Sequence, residues 1–91
     1  MAYQVFEGAI TATTVSTSLV STGGVSPGIV CYVTHTSYPG TWLQLNTDSY
    51  GGTACGVVQS GSGYYGRAVV PSGYVNSGWT IRTVLFWLPS S

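Results

Sequence analysis

The final apolar run of the chain, "WTIRTVLFWLPSS", is hydrophobic on both of its alternating faces. Read as a strand, residues 81–88 set Ile81, Leu85 and Trp87 on one side and Val84, Phe86 and Leu88 on the other. A half-buried strand alternates apolar with polar residues, whereas a strand apolar on both faces must be covered on both. Elsewhere the alternation is more orderly. Leu43 and Leu45 are expected to face a core while Trp42, Gln44 and Asn46 face out, and Ile29, Cys31 and Val33 share a face with His35. β-branched and aromatic runs ("YQVF", "AITATTVSTSLV", "GIVCYVTHT", "TWLQLN", "ACGVVQ", "RAVV", "WTIRTVLFW") are separated by turn chemistry such as "STGGVSPG", "SYPGTW", "SGSGYYG" and "PSGYVNSG". No run shows the helical period of 3.6. The pattern predicts an all-β fold, a small antiparallel β-sandwich or barrel of about seven short strands. The segment 11–22, "TATTVSTSLVST", reads as a long amphipathic strand or as an extended arm.

A chain of 91 residues folds as one domain, 1–91, with a single modest core. One core covers one face of the 81–88 strand, so the other is expected to meet a neighbouring chain, and residues 84–88 (Val84, Leu85, Phe86, Trp87, Leu88) are the candidate interface. Val84, Phe86 and Leu88 serve in one orientation of the strand, Leu85 and Trp87 in the other.

Charge sharpens this picture. Only two basic and two acidic residues are present, 4% of the chain, against the usual ~25%. An almost uncharged surface stays dispersed poorly, which suits a permanent assembly or an extracellular setting where hydroxyls and amides supply the solvation. Two arginines, Arg67 and Arg82, cannot neutralise a run of phosphates, so nucleic acid is excluded as a partner, and an anionic membrane surface for the same reason. No apolar run has the length of a membrane span. The N-terminus lacks a basic segment followed by an apolar one, so synthesis in a cytoplasm is expected. That setting favours reduced, buried thiols at Cys31 and Cys55, with a disulfide between them as the alternative.

Catalytic patterns match only on paper. "GVSPG" (24–28) fits G-x-S-x-G, but the residue after Ser26 is Pro27, which has no N–H to serve an oxyanion, and His35 and Asp48 follow in the wrong order for a hydrolase. "GSGYYG" (61–66) fits G-x-G-x-x-G, but "RAVVPSG" follows where a helix is needed, so the stretch reads as a hairpin loop presenting Tyr64 and Tyr65. Cys31 and His35 lie about 13 Å apart on a strand, too far to grip one metal. With one histidine and no lysine, acid–base chemistry lacks material. The chain is expected to be no enzyme and to carry no catalytic, cofactor or metal site.

Aromatic residues make up 13% of the chain. Trp42, Tyr50, Tyr64, Tyr65 and Trp79 beside Asn46 and Asp48 compose an alternative ligand site, in which sugar rings stack on aromatic faces and the polar residues accept hydroxyls. The competing use of such aromatics is a subunit interface.

In residue usage over its whole length, carried by "TATTVSTSLVST", "GSGYYGRAVVPSG" and the near absence of charge, the chain resembles the small β-structured accessory proteins of tailed-bacteriophage virions. These are the capsid decoration (cement) proteins and tail-fibre tip domains. The iron-binding His-x-His of some fibre tips is absent, His35 being the only histidine. The resemblance implies a structural homotrimer made in a host cytoplasm and seated on major capsid or other virion subunits, with no catalytic residues. A receptor- or glycan-binding module at the cell surface, and a self-assembling filament subunit, are the rival expectations.

Overall fold

The computed structural model describes residues 1–45 and 53–89. Seven strands form two antiparallel sheets. They are β1 (Ala2–Ala9), β2 (Thr14–Ser16), β3 (Gly28–His35), β4 (Leu43–Gln44), β5 (Ala54–Ser60), β6 (Gly63–Val69) and β7 (Trp79–Trp87). The larger sheet has the order β1-β7-β3-β4 and the smaller β2-β6-β5. No helix among the described residues is long and apolar enough to cross a membrane. The fold is the all-β sandwich expected from the strand and turn pattern.

The run 11–22 is neither one long strand nor a free arm; it follows β6 in two short pieces. β2 pairs with β6 from Thr14↔Val69 to Ser16↔Arg67. The chain then kinks, and Val20 rejoins β6 by exchanging both backbone hydrogen bonds with Tyr64, at 2.7 and 3.0 Å. Thr17 bridges the interruption: its N–H donates to the Gly66 carbonyl (2.9 Å) and its hydroxyl accepts from the Gly66 N–H (3.0 Å). Three residues on one strand advance against two on the other, as in a bulge. The expected hairpin is present, but its loop does not present Tyr64 and Tyr65. The β5–β6 turn is only Gly61 and Ser62, with Gly61 at φ 61°, the left-handed value a glycine-first hairpin turn requires. Tyr64 and Tyr65 therefore lie within β6.

The core fills the space between the sheets. Ile10, Cys31, Val33, Leu45, Cys55, Ala68, Val70 and Ile81 form its larger cluster. Val20, Tyr64 and Leu85 form a smaller one, against which Phe6, Ile29, Val57 and Trp87 pack. Two predicted facings need correction. Leu85 is wholly enclosed and Trp87 packs on the core, so neither belongs to an outward face. Leu43, expected beside Leu45 in the core, is 55% exposed, because β4 is a two-residue edge strand with little above it.

Both cysteines are free, buried thiols. Cys31 donates to the Thr83 hydroxyl across a 3.6 Å contact. Burial pushes the Cys31 thiol up to about 12; the hydrogen bond with Thr83 opposes the rise and neighbouring Cys55 adds to it.

Candidate functional site

β7 is a central strand, paired with β1 on one side and β3 on the other. Its inward residues Ile81, Thr83 and Leu85 face the smaller sheet, and all three are buried. By the two-residue alternation of a strand, Thr80, Arg82, Val84 and Phe86 face away from it. Register then fixes their neighbours on this outer face. Val5, Val84 and Val30 lie side by side, as do Tyr3, Phe86 and Gly28, and so do Glu7, Arg82, Tyr32 and Gln44. Trp42, just before β4, lies over the Arg82 end of this face.

The outer face has two halves. Toward the C-terminal end of β7, Tyr3, Val5, Val30, Val84 and Phe86 form an apolar band. Tyr3 is 70% exposed, and Leu88, just beyond the strand, is 69% exposed. Toward the other end, Arg82 is held from two sides: its Nε donates to Glu7 Oε2 at 2.9 Å, and its guanidinium lies 4.1 Å from the centre of the Trp42 ring. This is the single ion pair among the described residues. Exposed pairs of this kind contribute about 0–1 kcal/mol, so it neutralises two of the chain's charges more than it stabilises the fold.

Those of the alternative ligand residues that are described do not converge. Trp42 lies over Arg82, Tyr64 is buried in the core, and Tyr65 faces outward from the smaller sheet beside Val58. Trp79 sits at one end of the sandwich against Tyr74 (4.5 Å between ring centres) and edge-on to His35 (4.9 Å). Asn46, Asp48 and Tyr50 lie outside the described residues. Sequence spacing grouped these aromatics because adjacency along the chain says nothing about which sheet, or which side of it, a strand residue faces.

A hollow beside Trp79, lined by Val33, His35, Tyr38 and Leu43, has a volume of about 60 Å³. Ligand pockets run from roughly 300 Å³ upward. His35 is fully engaged: one ring nitrogen meets the Ser77 carbonyl at 2.7 Å and Nδ1 accepts from the Ser37 N–H at 3.0 Å. With both nitrogens occupied, the ring ties the end of β3 to the turn before β7. Larger hollows of about 200 Å³ lie between the edges of β1 and β2, and over Gly56 on the smaller sheet. The first is lined by one titratable residue, Glu7, and the second by Cys55 and Arg67, and no group of three or more His, Cys, Asp or Glu among the described residues could hold a metal ion.

Residues that the sequence left unassigned complete the outer face: Tyr3, Val5 and Val30. The run "YQVF" carries two of them, but only register with β7 reveals that they border Val84 and Phe86. Comparison with protein-family models, with curated proteins and with solved structures finds no match.

Proposed function

We propose that this chain is a non-enzymatic structural subunit of a virion surface, and that a neighbouring subunit covers the outer face of its β1-β7-β3-β4 sheet. The observation carrying this reading is the apolar band of Tyr3, Val5, Val30, Val84 and Phe86 on the side away from the smaller sheet. A chain with four formal charges has little else to keep such a face in water. Its residue usage, which resembles that of phage decoration proteins, supports the virion setting. Covering one aromatic and two aliphatic side chains contributes about 1.5–3 kcal/mol for each.

Val84→Asp tests the reading by placing a charge at the centre of the band while leaving the core untouched. Wild-type protein should scatter light as a small closed assembly, and the variant as a smaller species with the native far-UV spectrum. An unchanged mass in the variant contradicts the covered face. A glycan array tests the rival reading as a sugar-binding module. That reading has narrower support, since its described aromatics disperse over both sheets and the hollow at Trp79 is small.

A further inference from the structure

Backbone hydrogen bonding assigns directions to the atoms of β1. The Ile10 N–H donates to the Trp79 carbonyl at 3.0 Å, so Ile10 directs its polar backbone toward β7. Strand geometry repeats every two residues, so Gly8, Phe6, Gln4 and Ala2 do the same. The same alternation carried through β7 and β3 directs Cys31 toward β4, and its carbonyl accepts from the Leu45 N–H at 2.8 Å, as required. Tyr3, Val5, Glu7 and Ala9 therefore point their N–H and C=O groups away from the sheet. β1 is an edge strand of eight residues in unbroken register, without proline, lysine or bulge, and its one charge, Glu7, is paired with Arg82 of its own sheet. Natural sheets blunt such an edge by one of those devices or by covering it.

We propose that a second copy of this chain pairs with this edge, β1 against β1, about a twofold axis through Val5. Antiparallel pairing requires outward-directed residues to face one another. An axis at Val5 meets this condition, setting Val5 opposite Val5 of the second copy and Tyr3 opposite its Glu7. The apolar side chains then meet each other, and each carboxylate meets a phenol instead of a like charge. An axis at Glu7 would oppose two carboxylates. The contact is isologous and closes at two copies. At the far edge the described strand, β4, offers only two residues.

Area supplies a second reason. Three strands of about eight residues and a two-residue fourth, at ~4.8 Å spacing and ~3.4 Å rise, give one outer face of roughly 400 Å², against ~800 Å² that a standard interface takes from each partner. Edge pairing aligns Tyr3 and Val5 of both copies and joins two such faces into one of about 800 Å². This consequence rests on the covered-face reading; the pairing itself does not. It also sets a twofold contact beside the threefold assembly that the resemblance to phage proteins implies.

Val5 is 47% exposed, so Val5→Cys leaves the core intact. A short bismaleimide should link this variant into two-chain species. Wild type, whose thiols are buried, and Val58→Cys, on the other sheet's edge strand β5, should stay unlinked. Val5→Pro removes one outward N–H without touching the β1–β7 ladder and should halve the mass measured by light scattering, with Val5→Lys doing the same through charge. In the Val84→Asp background a two-chain, Val5-linked species should remain. An assembled wild type that does not link through Val5→Cys overturns edge pairing and leaves the covered face standing. Equal linking through Val58→Cys, or a monomeric wild type at high concentration, also overturns it.

Discussion

Phe86 occupies the space that a side chain at Gly28 would need. The two are register partners on β7 and β3, and a methyl built on Gly28 would fall within 3.0 Å of three carbons of the Phe86 ring. The glycine is a seat for the ring, so Phe86 is held against its own sheet with its remaining surface outward. An aromatic fixed in this way loses little rotamer freedom when a neighbour covers it, which favours an interface over a mobile side chain.

Gly28→Ala should therefore destabilise by about 1–3 kcal/mol, the usual effect of overpacking. Gly56→Ala, where the added methyl meets nothing within 4 Å, is the matched control. It should be neutral or stabilising by about 0.4–1 kcal/mol. Urea midpoints at unchanged slope measure both.

The two faces of β7 should respond differently to truncation. Leu85→Ala removes a wholly buried side chain and should cost about 3–5 kcal/mol, a large share of the ~5–13 kcal/mol available to a chain of this size. Trp87→Ser also strikes the core. Phe86→Ser should leave the native far-UV spectrum and lower the assembled mass. A Phe86→Ser chain that unfolds as readily as Leu85→Ala would show that the ring is internal.

The thiol at Cys31 gives a pH dependence whose sign follows from its burial. Its folded value, about 12, lies above the ordinary 9.0. The native thiol keeps its proton where the unfolded one releases it, so the unfolded state binds fewer protons and stability falls as pH rises. The contribution is complete below about pH 9 and declines toward pH 12, by about 1.4 kcal/mol per pH unit. Urea midpoints of wild type and Cys31→Ala, compared at about pH 8 and about pH 10.5, should converge at the higher pH. Native protein should also resist iodoacetamide at both cysteines until it is unfolded.

Salt should matter little. One exposed ion pair, Glu7–Arg82, leaves almost no electrostatics to screen. A melting midpoint that drops several degrees between low and moderate sodium chloride would contradict this.

Strand positions were legible because turn residues and β-branched runs alternate clearly; even the two faces of 81–88 could be read. Which face turned inward could not, since Leu85 and Phe86 are both apolar and only the smaller sheet distinguishes them. Tyr3 and Val5 escaped notice because their significance comes from a partner strand about 80 residues away, a register that periodicity does not encode. The aromatic grouping misled for the complementary reason. Tyr64 and Tyr65 are neighbours in sequence yet project to opposite sides of β6, one into the core and one outward.

The covered outer face is tested most directly by comparing Tyr3 with Tyr38. Both are 70% exposed in the single chain, but only Tyr3 lies on the proposed contact surface. Hydroxyl-radical footprinting of the purified wild-type protein at high concentration should oxidise Tyr38 freely and Tyr3 several-fold more slowly, with the difference disappearing on dilution below the assembly concentration. Equal oxidation of the two tyrosines at every concentration would contradict the account.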